Sequence, residues 1–97
     1  MAIKTTPFNI LDHLKTPEEQ VAYLEAALEI DDPSFIAAAI GDVAKARGVS
    51  EFSRETGLSR EAIYKAFKKG GNPTLETLDK ALKPLGMRLT LTARNAA

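Results

Sequence analysis

The sequence predicts a mainly α fold, a helix-turn-helix bundle with N-terminal helices and one short C-terminal β-strand. Three observations predict it. Residues 49–69, VSEFSRETGLSREAIYKAFKK, place small Ser53 four positions before Gly57 and set apolar Phe52, Leu58 and Ile63 where two crossed helices share a core. That is helix-turn-helix spacing, in which the second helix enters the DNA major groove. On either side of this stretch, apolar residues recur at three- and four-residue steps, one face of an α-helix. From Gly86 the period falls to two: Met87, Leu89 and Leu91 alternate with Arg88, Thr90 and Thr92, as in a strand.

The elements follow in order. Residues 1–7 read as an extended arm, with Ile3 and Thr5 between polar neighbours and Pro7 restricting Thr6. Ile10, Leu11 and Leu14 allow a helical turn or two. Thr16-Pro17-Glu18-Glu19 starts a helix: Thr16 caps, Pro17 takes the first helical position and Glu19 completes a capping box. Val21, Leu24, Ala27 and Leu28 then form one apolar face to about Ile30. Asp32-Pro33 repeats the signal, and Phe35, Ile36, Ala39, Ile40 and Val43 continue a second helix to Gly48, with Lys45 and Arg47 complementing its C-terminal dipole.

Gly41 interrupts that helix at a cost of roughly 1 kcal/mol against alanine. A close helix crossing beside Ala37, Ala38 and Ala39 accounts for it. In the motif, Ser53 permits close backbone approach, Gly57 takes the φ > 0 of a tight turn, and Ser59 caps the second helix. Thr74 caps the last helix, with Leu75, Leu78, Leu82 and Leu85 on one side, and Pro84 ends or kinks it near Lys83. The expected organisation is a single domain: arm and short helix (1–15), acidic helical hairpin (16–48), helix-turn-helix (49–69), last helix (70–85) and strand (86–92).

Composition bounds the function. A chain of 97 residues suffices for one small core. No apolar run is long enough to span a membrane, and the N-terminus MAIKTTPFN lacks the apolar region of a secretory signal. Cysteine is absent, which excludes disulfide scaffolds and thiolate metal sites and fits a reducing cytoplasm, the expected location. His13, the only histidine, reads as an ordinary surface or partly packed residue, so neither metal nor cofactor is expected. An enzyme is the least supported class, since no phosphate-cradling Gly loop or nucleophile elbow appears.

The net charge of zero hides an asymmetry. Residues 1–44 carry two bases against eight acids, or −6; residues 45–69 carry seven against three, or +4; residues 70–97 carry four against two, or +2. An acidic front and a basic back suggest two partners of opposite sign. The competing explanation is that acids collect at helix starts and bases at helix ends. The strand adds a further demand, because a lone strand cannot satisfy its own backbone. It must pair with the N-terminal arm, with a second copy in a homodimer, or with a partner's sheet edge.

The phrases TTPFNILDHLKTPEEQVAYLEAALE, DPSFIAAAIGDVAKARGVS and TGLSREAIYKAFKKGGNPTLETLDKALKPLGMRL resemble the HigA-like addiction-module antidote proteins, a branch of the lambda-repressor-like (XRE-type) helix-turn-helix family. The likeness covers roughly residues 5–91, and GLSREAIYKAF…GGNPTLETL is its specific part. It implies a lambda-repressor-like bundle and a type II antitoxin that binds a RelE/ParE-like toxin and represses its own operon. Three positions depart from the pattern. Phe67 stands where phage-type relatives usually carry Glu, which suggests that it packs inward; Asp79 replaces an apolar residue; and Pro84 is unusual.

By the alignment of the motif, Ser59, Arg60, Glu61, Tyr64 and Lys65 are the candidates for base edges. Arg60 can grip guanine O6 and N7, and Glu61 can accept from cytosine N4 or instead pair with Lys65. Tyr64 can touch a thymine methyl or a phosphate, or cover the core edge. Ser50, Lys68, Lys69 and Asn72 are placed for phosphates, unless the lysines are only a solvated helix end. Glu18, Glu19, Glu25, Glu29, Asp31 and Asp32 are the weaker candidates for a surface opposing a basic toxin. A phage-like transcriptional regulator without a toxin is the alternative function, and a helical interaction module without DNA binding is the third.

Overall fold

The computed structural model describes residues 9–94. A 3-10 turn (Ile10–His13) leads into five helices: α1 (Pro17–Ile30), α2 (Pro33–Arg47), α3 (Val49–Thr56), α4 (Arg60–Ala66) and α5 (Leu75–Leu82), followed by a second 3-10 turn (Lys83–Leu85). The helix starts fall where side chains satisfy the first free amides. Thr16 accepts from the Glu19 amide while the Glu19 carboxylate accepts from Thr16 N and Lys15 N, a full capping box. Those two backbone donors lower the Glu19 pKa. Asp32, Ser59 and Thr74 cap α2, α4 and α5 through the amides of Ser34, Ala62 and Thr77.

Asp31 closes α1 in the left-handed conformation, φ 62°, as the only described non-glycine residue at positive φ. Gly57 does the same for α3 at φ 78°.

α2 is the hub, touching the first 3-10 turn, α1, α3 and α4, while α3 also meets α5 and the second 3-10 turn. The core joins all of these through Leu14, Leu24, Ile40, Val43, Phe52, Ile63, Phe67 and Leu82. Phe67 is buried, as its departure from the family pattern suggested. Gly41 is explained by a close approach: a Cβ there would lie 2.1 Å from the Phe67 carbonyl oxygen, so α2 rests directly on the backbone at the end of α4. A polar clasp runs beside the core. Buried Gln20 donates to Leu14 O (3.0 Å) and accepts from Arg47 Nε (2.8 Å), and Arg47 also binds Glu55 (2.9 Å). Tyr23 donates to Asp42 (2.7 Å), tying α1 to α2 again.

The expected C-terminal strand over 86–92 is not formed. α5 and its 3-10 extension end at Gly86 (φ 71°), whose amide donates to Lys83 O while the Met87 amide donates to Leu82 O. Beyond that cap the chain makes no ladder, because no second strand lies alongside it among the described residues. Met87 packs against the core, but Leu89 is exposed and Leu91 fully so, and the alternation therefore marks no buried face. The 1–7 arm, one of its expected pairing partners, lies outside the described residues. Three other apolar expectations also change: Leu75, Leu28 and Phe35 are exposed, at 75%, 49% and 41%.

Candidate functional site

The stretch from Val49 to Asn72 builds its surface on a fixed turn. Ser53 Oγ donates to Leu58 O, and Thr56 Oγ1 donates to Phe52 O (2.7 Å) while accepting from Leu58 N (3.1 Å). These bonds, with the left-handed Gly57, lock three residues between α3 and α4. Ser53 thus acts through its hydroxyl as well as its small size. Leu58, Ile63 and Phe67 anchor α4 from below.

Arg60, Glu61, Tyr64 and Lys65 are all exposed and recur at one- and four-residue steps, so they share the opposite face of α4. Tyr64 is 51% exposed and therefore does not seal the core edge. Glu61 and Lys65 form no ion pair among the described residues. Ser59 is exposed, and its hydroxyl, though it accepts from Ala62 N, keeps a proton to donate outward.

Lys68 and Lys69 follow on the turn after α4, and Asn72 lies beyond Gly70-Gly71. Lys65, Lys68 and Asn72, with Thr74 and Thr77, line an open groove of about 470 Å³ between α4 and α5. Neither threonine is among the sequence's candidates for DNA contact; Thr74 reads there only as the cap of the last helix, and Thr77 carries no signal. Gly71 fits this bend because a Cβ would meet Ala66 O at 2.1 Å. Gly70 N donates to Ser34 Oγ (3.0 Å), which pins the bend to the start of α2. Ser50 is exposed in the first turn of α3, a helix with no side-chain cap.

The ion pairs sort the charges. Of the seven bases in 45–69, Arg47 and Arg54 are paired, with Glu55 and Glu51, leaving five without an ion pair among the described residues. Of the three acids there, Glu51 and Glu55 are paired and Glu61 has no ion pair among the described residues. The excess that composition hinted at is therefore sharper on the surface, at Arg60, Lys65, Lys68 and Lys69 on and after α4.

The acidic candidates divide differently. Glu19 is held by the capping box, Asp32 caps α2, and Asp31 pairs with Arg94 at 3.2 Å. Glu18, Glu25 and Glu29 are exposed on α1, and their carboxylates make no hydrogen bond or ion pair among the described residues. Among the described residues no cluster of His, Cys, Asp or Glu could hold a metal ion, and no helix is long and apolar enough to cross a membrane.

A small helical protein with an acidic N-terminal half and exposed bases on and after its fourth helix is the class these features define. The chain matches the model of the family described as probable addiction module antidote protein over residues 4–93. It is also 41% identical over 81 residues to an uncharacterized protein of Haemophilus influenzae (strain Rd), covering 84% of each chain. No solved structure matches it significantly. The chain belongs to the probable addiction module antidote protein family.

Proposed function

We propose that the chain is a type II antitoxin of HigA-like, XRE-type character that binds operator DNA through a helix-turn-helix formed by α3 and α4, represses its own operon and neutralises a RelE/ParE-like toxin by direct binding. One observation carries the DNA half: Arg60, Lys65, Lys68 and Lys69 stand exposed, with no ion pair among the described residues, on and after a helix locked from beneath. Unpaired bases on a rigid, convex helix are what a phosphate-lined groove attracts. In this reading Arg60 meets guanine O6 and N7, Glu61 accepts from cytosine N4, and Ser59, Tyr64 and Lys65 complete the base-edge contacts. Ser50, Lys68, Lys69 and Asn72 grip phosphates and fix the register. The acidic α1 end faces the toxin, and a homodimer sets two copies of α4 on a palindromic site.

The test is fluorescence anisotropy on a duplex from the chain's own upstream region. Arg60→Ala is expected to weaken specific binding by about 1–3 kcal/mol and relax one base position. Lys68→Ala is expected to weaken binding to every duplex alike and lower the salt slope by about one. An Arg60→Ala loss that is equal on unrelated DNA contradicts base readout.

A further inference from the structure

We propose that the outer face of α1 is the docking surface for a basic, apolar-centred segment of a partner protein, namely the toxin of the preceding reading, on which this inference rests. Glu18, Val21, Ala22, Glu25, Leu28 and Glu29 recur at one-, three- and four-residue steps and so share one face of α1. Toward its N-terminal end, an open groove of about 400 Å³ is lined by Pro17, Val21, Ala22 and Leu85 together with Glu18 and Glu25. Toward its C-terminal end, Leu28 continues the apolar strip, 49% exposed. A leucine at that exposure, two turns along α1 from a groove with apolar lining, is an anchor without its cover.

Charge names the occupant. Residues 16–44 hold seven acids and neither Lys nor Arg. Such a face repels DNA phosphates, and a second copy meeting it across a two-fold axis would set its own acids opposite. A basic protein segment satisfies both the apolar strip and its rim. The carboxylates of Glu18, Glu25 and Glu29 have no partner among the described residues, whereas Glu19, Asp31 and Asp32 are held at helix ends and Asp42 accepts from Tyr23. The chain supplies an example of the group this end of the molecule accepts: Arg94 reaches Asp31, at the end of α1, in an exposed pair. Glu18 and Glu29 lie eleven residues apart, about 16 Å along the axis at 1.5 Å per residue, so the partner's bases should run along a segment of similar length.

The experiment titrates the toxin encoded in the chain's own operon against wild type, Ala22→Arg and Glu25→Lys by isothermal calorimetry, with Glu76→Lys on α5 as a charge control. All three positions are exposed, and thermal melts establish that each variant is folded. Ala22→Arg and Glu25→Lys are expected to weaken toxin binding by ~100-fold or more, while Glu76→Lys stays within ~3-fold of wild type. Folded α1 variants that bind the toxin like wild type overturn the docking face and leave the antitoxin reading standing. A wild-type chain that does not bind the toxin overturns that reading and the docking face with it.

Discussion

Tyr23 shows how one side chain couples packing to proton chemistry. Burial, reinforced by its hydrogen bond to Asp42 and by the charge of that carboxylate, pushes the phenol up to about 12 from 10.0. The neutral form is therefore favoured in the folded chain. Its contribution to stability is complete below pH 10 and is lost as pH rises toward 12, because the unfolded chain gives up this proton first. Stability measured by denaturant across that window should fall less steeply for Tyr23→Phe than for wild type; parallel curves would contradict the assignment. Glu19 has the opposite sign. Its lowered pKa contributes stability above the unfolded value that is lost as pH falls through the folded one.

The capping residues behind these effects were legible from local sequence, because a cap bonds only to amides two or three residues away. Thr16, Asp32, Ser59 and Thr74 all hold the roles their spacing implied. The Gln20–Arg47–Glu55 clasp was not legible, since it joins residues 27 and 8 positions apart that only the packed helices bring together. Likewise, the six acids look alike in sequence, and only the fold separates three held at helix ends from three on α1 without a side-chain partner among the described residues.

At the scale of elements, α4 is held from two sides. The α3–α4 turn fixes its start, and α2 fixes its end where Gly41 meets the Phe67 carbonyl. Gly41→Ala would gain about 1 kcal/mol of helix propensity but drives a methyl to 2.1 Å from a backbone oxygen that cannot step aside alone. The expected net outcome is a loss of about 1–3 kcal/mol, read as a lower denaturation midpoint. Unchanged or raised stability would mean that the helices do not cross so closely.

The presence of a crossing at Gly41 was readable from a helix-weakening glycine among alanines, but its partner was not. The C-terminal alternation misled for a related reason. A period of two says which side chains share a face, whereas a strand needs hydrogen bonds from a neighbour that the sequence does not name. Leu75 and Leu28 fit their helical faces by period and yet lie outside the core, because periodicity marks a stripe without saying how far along it the packing extends.

Across the whole molecule, a net charge of zero divides between an acidic α1–α2 end and a basic surface on and after α4. Internal ion pairs sharpen the division: Arg47 and Arg54 are cancelled locally, while Arg60, Lys65, Lys68 and Lys69 face solvent. Under the proposed function, the acidic stretch meets the toxin and the basic one meets DNA.

The most direct test of this account is an anisotropy titration of the wild-type chain against its own upstream duplex and a scrambled one, at two salt concentrations. Binding to its own DNA is expected to be tighter by ~10³-fold or more, a preference that persists as salt rises. Equal affinity for both duplexes, collapsing together with salt, would contradict it and reduce α4 to an electrostatic patch.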